Sequence, residues 1–208
     1  MTEEVENNRK GSYIIGLTGN IGTGKSVVRQ IMQDFGAVGI DADALTHRVI
    51  SRSGPAYQRL VEEFGRWILE PDGEINRGRL GKIVFNSPEA LKILEGIVHP
   101  YVIQGVKLLI SKSTKRVIVV EAIKLLETEL RTLCDTIWVT VVTEKVQVQR
   151  LMATRGLSET EALARINAQP SQQDKITAAD VVISNDGTVK ELWLQVKDAV
   201  KTIPIERD

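Results

Sequence analysis

A single cysteine, Cys134, leaves this 208-residue chain without an internal disulfide framework and fits a reducing compartment. No nearby motif would hold its thiolate, so Cys134 reads as packing. The charges cancel, 27 basic against 27 acidic. That removes the whole-chain positive field by which nucleic acid is held through its phosphates, so any anion recognition must be local. Apolar runs are short too. Residues 117–120 and 137–142 are the longest strongly apolar stretches, far below the ~20 residues needed to span a bilayer. The expectation is a soluble, cytoplasmic protein with neither nucleic acid nor membrane as partner. Residues 1–12, MTEEVENNRKGS, are polar and charged without the apolar centre of a secretory signal, and read as a disordered tail. There is no internal repeat, and oligomeric state has no signature in the sequence.

With 42% hydrophobic and 26% charged residues, the chain can bury a substantial core as one main domain with an insertion. Residues 13–18 hold Tyr13, Ile14, Ile15 and Leu17 and run straight into glycines, the pattern of a buried strand feeding a tight loop. After Lys25, the apolar residues Val27, Val28, Ile31, Met32 and Phe35 recur at spacings of three and four, and Gly36 then stops an amphipathic helix. A second strand is expected near residues 37–40 and a helix near 44–51, with a right-handed parallel crossover between the strands. Further strands are expected at 116–120, 137–142 and 181–184, giving an α/β fold with a five-stranded parallel sheet. Residues 13–51 and 116–208 form the expected nucleotide-binding core. Residues 52–115, with turn signals at Gly54-Pro55, Pro71-Asp72-Gly73 and Ser87-Pro88, read as a helical insertion. Residues 155–175 are polar and helical in pattern, with Pro170 as a breaker, and read as a surface hairpin able to act as a lid.

The strongest motif is Gly19-Asn20-Ile21-Gly22-Thr23-Gly24-Lys25-Ser26, which fits G-x-x-x-x-G-K-[ST] with a strand before it and a helix after it. Glycines let successive N–H groups turn inward to an anion, and the new helix adds its positive end. This phosphate-binding loop is expected to hold ATP, with Lys25 at the β- and γ-phosphates and the Ser26 hydroxyl on a bridging Mg²⁺. Val27 closes the binding segment.

Two classes of protein use such a loop: enzymes that phosphorylate small molecules, and GTP-dependent switches. Neither Asn-Lys-x-Asp nor Asp-x-x-Gly, the elements of a guanine-specific switch, occurs in the chain. A kinase also needs a carboxylate to accept or orient the proton of the attacking hydroxyl. Asp41 and Asp43 are the candidates, because the carboxyl ends of parallel strands emerge on one edge of the sheet together with the phosphate-binding loop. The alternative for either is a helix N-cap, with Asp43 placed before the helix containing Leu45 and Val49.

The ordered set Gly16-Leu17-Thr18 with the loop, Asp41-Ala42-Asp43, His99-Pro100, Arg150-Leu151 with Arg155-Gly156, and Ala179-Asp180 with Asn185-Asp186-Gly187 resembles the dephospho-CoA kinase family over nearly the whole chain. The resemblance implies phosphorylation of the ribose 3′-hydroxyl of dephospho-CoA by ATP, giving coenzyme A and ADP. It also implies a P-loop core with a helical CoA-binding domain and a lid. By resemblance, Asp43 is the base, Arg77 and His99 contact the acceptor, Arg150 and Arg155 approach the ATP phosphates, and Asn185 lies against the adenine. A guanidinium suits that task because it clamps phosphoryl oxygens while keeping its charge; Arg165 and Lys175 are secondary candidates. Pro100 after His99 is expected to mark a helix boundary.

One element departs from the family. Where Asp-x-Pro-Leu-Leu-Phe-Glu is usual, this chain reads Glu121-Ala122-Ile123-Lys124-Leu125-Leu126-Glu127. By resemblance this element, with Leu125, borders the acceptor pocket. Lys124 is therefore where acceptor choice could shift toward another nucleotide or nucleoside. Asn20 also replaces a common glycine, at a position where Asn tolerates positive φ.

Overall fold

The computed structural model describes residues 11–204, so residues 1–10 of the expected tail lie outside it. Five strands form one sheet: β1 (Tyr13–Thr18), β2 (Val38–Asp41), β3 (Val117–Glu121), β4 (Thr136–Val141) and β5 (Val181–Ser184), in the order β2-β3-β1-β4-β5. β3 and β4 each run parallel to β1, and β5 runs parallel to β4. The expected parallel α/β sheet is thus present, with strand ends shifted by about a residue. Helices α1 (Lys25–Asp34), α6 (Glu144–Arg155), α7 (Glu159–Asn167), α8 (Gln172–Thr177) and α9 (Val189–Val200) accompany it.

Side chains alternate across the strands, so Ile15 and Leu17 share a face. On that face they join Val119, Trp138 and Ile183, and Val28, Ile31 and Met32 of α1 and Leu192 and Val196 of α9 close over them. Each fully buried aliphatic side chain contributes about 1.5–3 kcal/mol, so this layer anchors the central strand. Gly16 is needed for space. A Cβ there would lie 2.6 Å from Leu125 Cδ2 and 2.8 Å from Cys134 Sγ, which makes Cys134 a packing residue. Two aspartates just before strands extend the ladder, Asp135 accepting from Ile14 N at 2.7 Å and Asp180 from Ile137 N at 2.7 Å.

The chain divides into two compact units, one comprising the residues up to Ile40 and from Ile110 onward, the other Asp41–Leu109. The second unit begins at Asp41 rather than residue 52 and ends at Leu109 rather than residue 115. No linker separates it from the sheet. β2 turns directly into α2 (Ala42–Val49), and Asp41 is both the last strand residue and the helix N-cap.

The second unit continues with α3 (Tyr57–Phe64), α4 (Arg77–Val84) and α5 (Pro88–Lys112). Leu60, Ile68, Leu80 and Val84 are buried in it. A short antiparallel bridge, Leu69 with Ile75, is folded by the Pro71-Asp72-Gly73 turn, so the insertion is not wholly helical. The expected boundary at Pro100 is absent, because α5 runs through it. The carbonyl that loses its partner to the proline ring belongs to Gly96, an exposed residue where water can replace the missing N–H. α5 is also long and apolar enough, by length and composition, to cross a membrane. Glu95, His99 and Gln104 interrupt its apolar residues, which is why no long run was legible. Val98, Val102 and Val106 are buried at i, i+4 spacing, as in a packed helix.

Candidate active site

The loop between β1 and α1 is shaped by three glycines. Gly19, Gly22 and Gly24 have φ of 150°, 77° and 90°. Gly24 is the most constrained, since a Cβ there would stand 2.1 Å from Asn185 Nδ2. Thr23 is fully buried, its hydroxyl bonded to Asn20 O at 2.8 Å and paired with the Thr140 hydroxyl at 2.7 Å, so the loop is pinned to the end of β4. The Lys25 ammonium crosses the loop, donating to Gly19 O at 3.0 Å and Asn20 O at 3.3 Å. Ser26 and Val27 are exposed in the first turn of α1.

Around this loop the structure collects several residues named from the sequence. Arg150, on α6, donates to Gly22 O at 3.4 Å and to Asn185 O at 2.6 Å. Asn185 is buried and donates to Thr23 O at 2.9 Å. Arg150 and Asn185 therefore brace the loop's backbone. Arg155 is exposed in the last turn of α6, where its charge complements the helix dipole, and Gly156 follows in the left-handed conformation. Asp186 accepts from the backbone N–H of Thr143 at 2.7 Å and from the Thr143 and Ser184 hydroxyls. The Thr143 N–H bond, aided by those hydroxyls and the Arg150 charge, holds its carboxyl below the ordinary aspartate value.

In the second unit, Asp41 Oδ1 accepts from Ala44 N at 2.8 Å. The cap of α2 is therefore Asp41, and Asp43 lies half-buried in the first turn of that helix. Of the two aspartates that the sequence offered as caps, Asp41 is the one that caps. Arg77 is exposed at the start of α4, next to the Asn76 cap, and His99 is half-buried within α5.

The comparisons with known proteins decide which kinase this is. Residues 13–191 match the profile of the family described as dephospho-CoA kinase. This chain belongs to the dephospho-CoA kinase family. A dephospho-CoA kinase of Carboxydothermus hydrogenoformans is 43% identical over 186 residues, covering 88% of this chain and 90% of that protein. The dephospho-CoA kinase of Bacillus cereus (strain ATCC 10987 / NRS 248) is 39% identical over 193 residues, covering 91% and 96%. A solved dephospho-CoA kinase from Campylobacter jejuni superposes with a TM-score of 0.65 at 26% identity, covering 91% of this chain and 96% of that one. The reaction of the family is ATP-dependent phosphorylation of dephospho-CoA to coenzyme A.

In this dephospho-CoA kinase the divergent element after β3 is held in place by contacts that local patterns do not reveal. Glu121 is buried and receives Arg29 Nε at 2.6 Å. Leu125 is fully buried against Gly16, so its side chain belongs to the core. Lys124 is exposed. Residues 169 and 170 touch the loop: Gln169 Oε1 accepts from Ile21 N at 2.7 Å, and Asn20 Nδ2 donates to Pro170 O at 3.0 Å. Gln147, on α6, donates to Ile21 O at 2.5 Å. These glutamines escaped sequence reasoning because nothing in their own surroundings marks them. Asn20 was named both as part of the phosphate-binding loop and as an exchange for glycine. Its Oδ1 is buried without a hydrogen-bond partner.

A magnesium ion fits the donor set. Among the described residues no group of three or more His, Cys, Asp or Glu side chains could hold a metal alone, and Mg²⁺ needs no such cage when phosphates and one hydroxyl supply its ligands. The Ser26 hydroxyl stands at the exposed start of α1.

Proposed function

We propose that this dephospho-CoA kinase divides its chemistry among the residues named from its sequence. The observation that carries the proposal is the loop itself: three glycines at positive φ, and a lysine laid across it by bonds to Gly19 O and Asn20 O. Those backbone carbonyls hold the ammonium in a water-poor spot until a phosphate, a stronger partner, competes for it. The loop's backbone N–H groups and Lys25 bind the ATP phosphates, and Ser26 holds Mg²⁺. Mg²⁺, when bound, neutralises charge on the phosphates. Arg150 braces the loop and keeps a permanent positive charge beside it, while Arg155 adds a cation at the exposed end of α6. Asn185 fixes the turn that faces the adenine.

The acceptor is bound by residues of the second unit, Asp41, Asp43, Arg77 and His99, and by the element that includes Leu125. Asp43 orients and takes the proton of the ribose 3′-hydroxyl as that oxygen attacks the γ-phosphorus and ADP leaves. Asp41 caps α2, and Asp43 lies half-buried in the first turn of the same helix. Residues 155–175 act as the lid, and the ATP-consuming reaction is assigned to the cytoplasm. The test is steady-state turnover of Asp43→Asn and Asp41→Asn. The first should lose turnover with the fold intact; the second should keep its thermal stability, because Asn caps a helix as well as Asp does. Equal turnover of Asp43→Asn and the parent chain would remove Asp43 as the base.

A further inference from the structure

Lys175 is the least exposed charged residue among the described residues, 2% exposed, and the reaction just outlined gives it no work. Taking an ammonium out of water costs several kcal/mol unless its donors are used. Here Nζ donates to Ile123 O at 2.7 Å and stands 3.6 Å from Glu127 Oε1. Ile123 O also accepts from the Thr18 hydroxyl at 3.1 Å. That carbonyl sits in the turn after β3, immediately before Lys124.

The position of Lys175 follows from how its segment is tied down. Gln169 and Pro170 hold the loop after β1. The Gln172 amide then exchanges two bonds with Val142 at the end of β4, accepting from its N at 3.2 Å and donating to its O at 3.1 Å. Lys175 ends the series on the turn after β3. Residues 169–175 thus cross the carboxyl edge of three adjacent strands, and the lysine fixes the far end. A methionine would fill the same volume. What the ammonium adds is a directed bond that sets the orientation of the Ile123–Lys124 peptide.

We propose that Lys175 is a positioning residue for the acceptor: by bonding Ile123 O and pairing with Glu127 it sets the turn that presents Lys124 to dephospho-CoA. This rests on the reading that the Glu121–Glu127 element borders the acceptor.

The experiment measures kcat and both KM values by ADP release for the full-length parent chain, Lys175→Met, Thr18→Val and Lys124→Ala. Lys175→Met should raise KM for dephospho-CoA about tenfold or more, as expected for loss of a charged hydrogen bond, while KM for ATP stays within about twofold. Thr18→Val removes a second side-chain donor on the same carbonyl and should move the same constant in the same direction, which keeps the test available should Lys175→Met fold poorly. An unchanged KM for dephospho-CoA in either variant, or a parallel rise in both KM values, would overturn the proposal. Lys124→Ala separates the two layers. If it shifts KM for dephospho-CoA while Lys175→Met does not, the turn borders the acceptor and Lys175 does not position it. If neither shifts it, the element is not part of the acceptor site and both statements fall.

Discussion

Lys25 is the residue on which nucleotide chemistry most depends, because it brings a buried cation into the loop, held by bonds to two carbonyls. Lys25→Ala should lower kcat by on the order of 10²–10³-fold, the scale seen when one preorganised charge-stabilising donor is lost, with the melting temperature nearly unchanged; turnover at the parent rate would remove it from the site. Asp41 works at the helix level instead, and Asp41→Ala should cost about 1 kcal/mol of stability as a lost N-cap, read by chemical denaturation. Asp186 adds a pH dependence. Its folded pKa is depressed by the Thr143 N–H bond, so its contribution is present above the ordinary aspartate pKa of about 3.9 and is lost as pH falls below that through the folded value. Asp186→Asn should therefore lower the melting temperature at neutral pH and close the gap to the parent chain in acid. A gap that widens in acid would contradict the assignment. At this scale the sequence was informative where a residue's job is local. Lys25 and Ser26 follow from a motif whose spacing fixes their geometry. Asp41 and Asp43 were left open because two carboxylates two residues apart can both cap, and only the bond to Ala44 N separates them.

Among the elements, the loop and the segment proposed as a lid carry the sharpest expectations. Gly24 joins a φ of 90° to a site where a Cβ would strike Asn185 Nδ2, so Gly24→Ala should abolish nucleotide binding, measured by calorimetry, even if the chain folds. Helix α7 begins with a capping box in which Ser158 and Glu161 bond reciprocally. Ser158→Ala should cost about 1 kcal/mol, visible as a lower melting temperature. β1, α1 and β5 were legible because alternation, helical spacing and flanking glycines agree over each of them. Helix α5 was not. Its continuation through Pro100 depends on an exposed Gly96 carbonyl that water can serve, which is a matter of placement and not of local pattern. The Leu69–Ile75 bridge was missed for a similar reason, since one pair of residues is too short to show alternation.

For the whole molecule, the ordered motifs were more informative than any single one, because their sequence separations are those a parallel P-loop sheet imposes. Contacts that cross the sheet edge were invisible: Gln169 with Ile21 and Lys175 with Ile123 join residues far apart in the chain without a local signature. Arg155 and Arg165 are exposed in the segment assigned as the lid. Tryptic cleavage after them should slow when a non-hydrolysable ATP analogue is added; an unchanged cleavage pattern would withdraw the lid. The most direct test of the whole assignment is a coupled ADP-release assay with ATP, Mg²⁺ and dephospho-CoA, run against a panel of nucleosides and nucleoside monophosphates and repeated with Asp43→Asn. Turnover selective for dephospho-CoA and lost in the variant is the expected result. Turnover only with another acceptor, or undiminished in Asp43→Asn, would contradict it.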